Sequence, residues 1–259
     1  MAVPSFLATT HRYLQTAAVV DVNTIISNLQ SELVTNGTWT LLGAGNFKSP
    51  VDSSGRFWSI LATRIDATTL QVVTYDQNGT TVATRRIKLD VAGNTVRYFT
   101  GEMHCHVVSV RAVTPEHLGS FMVDPTPDSK SASFVYIFCR GYYDGAGANA
   151  ETTSLEMWVA IIAGTPASAE RCLSVCPGST LSSLKSISGT FIFAPFGVYV
   201  TLTSLVFISG FIPQVMAADT TLAFGSTYTV PIDIATTAIF MVISSVSSNS
   251  HRRFAIRAD

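Results

Sequence analysis

Charge is what this sequence has least of. Asp, Glu, Lys and Arg make up 13% of its 259 residues, against about a quarter in an ordinary soluble domain. Lysine is the scarcest part of that small share, with four lysines against twelve arginines. The net charge of -1 excludes the basic footprint that a general nucleic-acid binder needs. A surface so poor in lysine and glutamate is not expected to face water throughout. The centres of protein interfaces are depleted in charge but keep arginine, whose planar fork suits fixed contacts. Part of this surface is therefore expected to be covered by other chains.

Cysteine is also sparse. Cys105, Cys139, Cys172 and Cys176 are too few and too unevenly spaced for a disulfide framework in a chain of this length. Thiols made in a cytoplasm are expected. The Cys172-to-Cys176 spacing fits neither a redox pair nor a zinc knuckle, so buried inert thiols are the expectation there. Ala2 to Leu7 is apolar but short, with no basic start and no cleavage pattern, and does not read as a secretory signal. From Ser186 to Ala218 there is no charged residue. Phe191 to Ile212 is long enough for a membrane helix, but Pro195, Gly197 and Gly210 interrupt it and no basic cluster flanks it. Its β-branched and aromatic residues read as two buried strands, or as strands at a subunit contact.

What is present is one helix and many strands. Ile25, Ile26, Leu29 and Leu33 recur at helical spacing, and Asp21, Asn23 and Thr24 can accept bonds from a first turn. A helix is expected over Asn23 to Thr35, ended by Asn36-Gly37 in a left-handed conformation. Its stripe is expected either to pack on the sheet that follows, over Trp39 and Trp58, or to meet a neighbouring subunit. Thr69 to Tyr75 and Thr80 to Leu89 read as a hairpin around Asn78-Gly79, with Val72 facing Val82 and Leu70 facing Thr84. Glu116 to Leu118 is too short to assign, and Gly141 to Asn149 reads as a glycine-rich loop. Ala235 to Ser244 and Arg252 to Arg257 are expected to close the chain as a last hairpin. Many short strands of fairly even spacing imply a mainly β fold, an antiparallel β-sandwich or jelly-roll-like barrel with one short N-terminal amphipathic helix. The divisions expected are an arm and helix over 1–36, a β region over 37–123, a loop or linker over 124–132 with its two prolines, and a second β region over 133–259. The alternative is a single β domain over 37–259.

No catalytic constellation stands out. There is no Gly-x-Ser-x-Gly elbow, and no pair of carboxylates is marked for glycoside chemistry. His104 and His106 share one face of a strand, as a metal pair needs, but Cys105 points the other way and no further ligand is near in sequence. A structural pair of histidines is the simpler reading, and neither metal nor cofactor is expected. Tyr142, Tyr143 and Asp144 lie among glycines that lack the Lys-Ser or Lys-Thr of a phosphate loop. With Trp158 they would be the first contacts for a carbohydrate in a β-sandwich binding module.

The first third of the chain resembles segments in virion proteins of tailed bacteriophages. The matching features are the helix Asn23-Thr24-Ile25-Ile26-Ser27-Asn28-Leu29 and its exit Asn36-Gly37-Thr38-Trp39-Thr40. They continue with the turn Asp52-Ser53-Ser54-Gly55-Arg56-Phe57, then Thr69-Leu70-Gln71-Val72 and Asp76-Gln77-Asn78-Gly79. The resemblance implies a non-enzymatic component of the tail, baseplate, neck or head surface, made in the host cytoplasm and carried in the virion. Its partners would be copies of itself and other virion proteins, with no nucleic acid and no membrane. A host-surface glycan is the partner under the alternative, receptor-binding reading. Ile25, Leu29 and Leu33 on the helix, with Arg252 and Arg253 near the C-terminus, are the residues expected at assembly contacts.

Overall fold

The computed structural model describes residues 10–16, 21–51, 55, 57–88, 95–111, 114–122, 124–125, 134–143, 150–161, 193–202, 205–218, 222, 225–232, 234–244 and 253–259. The chain enters on strand β1 (His11–Thr16) and then forms helix α1 (Val22–Gln30), which widens into a π-helical turn over Ser31–Thr35. Strands β2 (Thr40–Gly43), β3 (Asn46–Lys48), β4 (Ser59–Arg64), β5 (Thr69–Tyr75) and β6 (Thr81–Lys88) follow. Next come β7 (Val96–Gly101), β8 (His104–Arg111), β9 (Thr114–Met122), the two-residue β10 (Asp124–Pro125), β11 (Phe134–Tyr143) and β12 (Ala150–Ile161). The last are β13 (Phe193–Leu202), β14 (Leu205–Ala218), β15 (Thr227–Pro231), β16 (Thr237–Ser244) and β17 (Arg253–Arg257). The fold is mainly β with one short helix, and its strands form three antiparallel sheets, consistent with a β-sandwich.

The expected helix is present, and its start is built as expected. Asp21 is extended and its side chain accepts the Asn23 amide. Its end is not the expected left-handed cap. Asn36 stays right-handed, and its amide reaches five residues back to the Ser31 carbonyl at 2.8 Å. Gly37 is needed for closeness rather than handedness: a Cβ there would sit 2.4 Å from the Leu33 carbonyl oxygen. That same oxygen accepts the Trp39 amide at 2.9 Å, which turns the chain straight into β2.

The helix stripe packs inward. Ile25, Leu29 and Leu33 are 0%, 1% and 1% exposed and share one core with Trp39, Phe47, Trp58, Ile60, Leu70, Tyr98 and Val107. Burying a leucine or isoleucine side chain in full contributes about 1.5–3 kcal/mol. Trp39 meets Trp58 edge to face, with ring centroids 5.1 Å apart.

The hairpin sheet runs β2-β3-β4-β5-β6. Its β5–β6 turn differs from the expected register. Val72 faces Arg85 and Leu70 faces Ile87, three positions beyond the expected partners. The Asp76 carboxylate sets the turn, taking the Asn78 and Thr80 amides at 2.8 Å each. Gly79, at φ +77, donates to the Asp76 carbonyl. The loop is therefore three residues closed by a left-handed glycine, and a register shift beyond Thr74 places one more residue on β6.

The middle sheet runs β1-β7-β8-β9-β11-β12. β8 is buried at every residue from His104 to Val108, so the sheet is covered on both faces. One face, through Val96, Tyr98, Cys105 and Val107, shares the core of the helix and hairpin sheet. The other carries Phe99, His104, His106 and Val108. The C-terminal sheet approaches there: the Arg97 guanidinium comes within 3.8 Å of where a Gly225 Cβ would lie.

Several strand boundaries differ from expectation. β9 is a full strand in spite of Pro115 and Gly119, because it is paired on one side with β8 and on the other with β11. β11 continues through Gly141, Tyr142 and Tyr143, absorbing the glycine as a register shift after Cys139. β9 and β11 flank residues 124–132 and pair directly, so that stretch connects two strands of one sheet. The uncharged 186–218 segment supplies β13 and β14, which pair with each other from Phe193↔Ala218 to Leu202↔Leu205. No helix among the described residues is long and apolar enough to cross a membrane. The last hairpin is as expected, with Phe240 opposite Arg257 and Ser244 opposite Arg253.

Candidate functional site: a histidine row beside a cleft

The described residue types with the most chemistry to offer meet where β1 crosses the end of β7. β1 pairs with β7 so that His11 lies opposite Gly101. His104 begins β8 just beyond the turn. The missing side chain at Gly101 is what lets the two imidazoles meet. A Cβ there would stand 2.3 Å from the Thr10 carbonyl oxygen and 2.6 Å from the His104 ring. Over that gap the rings stack with centroids 5.3 Å apart, and His11 Nδ1 lies 3.1 Å from His104 Nε2. One nitrogen donates and the other accepts. His106 continues the row, its ring centroid 5.6 Å from that of His104.

Both facing rings are held neutral. Burial is the main cause for each. It lowers His104 well below 6.5, with His11 adding to the effect. His11 is lowered to about 3, by burial first and then by the positive charge of Arg257, while the Arg257 main chain pulls weakly the other way. Such rings are poor proton acceptors near neutrality.

The cleft beside them has a volume of about 160 Å³ and is bounded by His11, Arg12, Glu32, Asn36, Trp39 and Gly101. Its floor is fixed by hydrogen bonds. Trp39 Nε1 donates to the Gly101 carbonyl at 2.8 Å. Arg12 Nε donates to Glu32 at 3.1 Å and Asn36 Nδ2 donates to the other Glu32 oxygen at 2.9 Å. Glu32 is 6% exposed, so its charge is balanced inside the protein by these two donors.

Among the described residues, no cysteine thiol reaches the cleft. The Cys105 thiol belongs to the opposite face of the middle sheet, and burial pushes it up to about 12. Among the described residues no group of three or more histidine, cysteine or acidic side chains converges to hold a metal. His104 and His106 do share a face as expected, and the ring that His104 meets from another strand is His11.

The residues singled out in the sequence fall elsewhere. Ile25, Leu29 and Leu33 are interior, so the helix stripe is not a surface open to a neighbour; the sheets of the same chain close over it. Arg253 sits in β17 opposite Ala218 and Ser244, and Arg252 lies outside the described residues. Tyr142 and Tyr143 are strand residues paired with Glu151 and Ala150, not loop residues; Asp144, Cys172 and Cys176 lie outside the described residues. His11 carries no local sign in the sequence. Its partner is 93 positions away, and one histidine in an arm without periodicity carries no pattern.

No protein-family model matches the chain, and no curated protein matches it.

Proposed function

We propose that this chain is a non-enzymatic structural component of a tailed-bacteriophage particle, held in the virion by contacts repeated between copies and with other virion proteins. The observation that carries this reading is the outer edge of the hairpin sheet. β2 is exposed along its whole length and is the outermost strand of its sheet among the described residues. It reads Thr40-Leu41-Leu42-Gly43, without charge or proline, and Leu41 and Leu42 are 40% and 55% exposed. Its one irregularity is a register shift between Leu41 and Gly43. Proteins that stay alone guard such edges with lysine, proline or a covering loop. An uncharged leucine edge instead suits main-chain pairing with another chain.

Two further features support the reading. The charge-poor composition fits a surface covered by companions, and the first third of the chain resembles virion proteins. The test is to label the chain in purified particles of its source and image them by electron microscopy. Label at a fixed, symmetry-repeated position is the expected result. Particles without label, and a free chain that turns over a substrate, would end the proposal.

A further inference from the structure

We propose that the stacked His11–His104 pair is an acid-released clasp, holding β1 on the middle sheet near neutral pH and letting it go in mild acid. Three features of the geometry point to this. First, among the described residues β1 is an edge strand, paired with β7 alone, so it can leave without dividing the rest of the sheet. Second, the two rings contact each other directly, and the contact needs one proton between the facing nitrogens. A first added proton can go to an outer nitrogen and leave that bond in place. A second must go between the rings, where two N–H groups would face each other at 3.1 Å. Third, His104 is fully buried and its outer nitrogen, Nδ1, has no hydrogen-bond partner among the described residues. Charge placed there meets neither water nor an acceptor.

The surrounding charged groups do not offset the added charge. On β17, Arg257 faces His11 with its own positive charge and is already joined to Asp259 and Gln214. On β1, Arg12 is tied to Glu32 of the π-helical turn, and Asn36 takes that carboxylate's other oxygen. On β7, Arg97 donates to Gln15. On β8, His106 adds a further imidazole beside His104. β9 places Phe121 and Gly119 opposite His104 and His106, and neither titrates. Glu102, half-exposed at the rim of the cleft, is the remaining nearby acid among the described residues.

The sign follows from where the proton is held more tightly. A histidine free in water takes one up near 6.5, and His11 in the folded chain does so only at about 3. The released state therefore binds protons first. The clasp is at full strength above about 6.5 and weakens as pH falls from there toward 3. His11 alone raises the opening equilibrium of β1 by about twenty-fold between pH 7 and pH 5, and His104 shifts it in the same direction.

The test is hydrogen exchange of the full chain between pH 7 and pH 5, corrected for the intrinsic pH dependence of amide exchange. Exchange at β1 should rise by that factor while the β5–β6 hairpin keeps its protection. In H11Q, where an amide replaces one of the two titrating rings, the rise at β1 should shrink by about that factor, leaving only the part due to His104. If H11Q does not fold, the imidazole resonances of the native chain decide: both rings should stay neutral to well below pH 6 for as long as β1 is protected. Unchanged β1 protection across the range, an equal rise in H11Q, or a ring that titrates near 6.5 with β1 still protected would each overturn the proposal.

Discussion

β8 carries two histidines into the middle of the molecule, whereas β2 leaves two leucines at its surface. His104 and His106 are 0% and 1% exposed; Leu41 and Leu42 are 40% and 55% exposed. Hydropathy alone would exchange these places. What separates the strands is position in the layers. β8 lies between neighbours in its sheet, with material packed on both faces, and its residues from His104 to Val108 are all buried. Among the described residues, β2 is the end of its sheet and has a partner on one side only. A polar side chain is tolerated inside when it stays neutral and finds a partner, as His104 does with His11. An apolar one at an edge is stable in a lone chain but leaves a surface on which another chain can be built.

The largest effect should come from the helix, whose stripe decides between an inside and an outside reading. Leu29→Ala should lower folding stability by about 3 kcal/mol through lost burial and a residual cavity. The loss should be the same at every protein concentration in chemical denaturation, because Leu29 packs in its own chain. A loss that shrinks on dilution would place the stripe at a contact between copies.

A smaller pair of effects sharpens the comparison directly. Val107→Ala on β8 should cost about 2 kcal/mol, since Val107 is 2% exposed. Leu42→Ala on β2 removes more apolar volume, yet should change single-chain stability by less than about 0.5 kcal/mol. Equal costs would mean that β2 is covered within its own chain.

The parts of the fold legible in the sequence are those fixed by neighbours along the chain. The Asp21 cap, the Ile25-Leu29-Leu33 stripe and the span of β5 all follow from local spacing. So does the division of the uncharged 186–218 segment into strands, because proline and glycine rule out a continuous apolar helix there. The parts that were not legible depend on distant groups. The β5–β6 register follows from a carboxylate reaching over its own turn, which the Asn-Gly pair alone does not reveal. Gly37 is fixed by a carbonyl four residues back, a consequence of the π-helical turn that a regular helical period does not show. β9 exists because strands on both sides pair with it, overriding its proline and glycine. The histidine row was half legible: alternation put His104 and His106 on one face, but His11 joins His104, across Gly101, only through strand pairing.

The edge strand offers the most direct test of the assembly reading. Sedimentation velocity of the chain across a hundred-fold range of concentration, beside the double variant Leu41→Lys with Leu42→Lys, isolates β2, because lysines on this exposed strand leave the core untouched. The native chain should move to larger species as concentration rises while the variant, equally well folded, remains a single chain. A native chain that sediments as one molecule throughout, identical to the variant, would contradict the account.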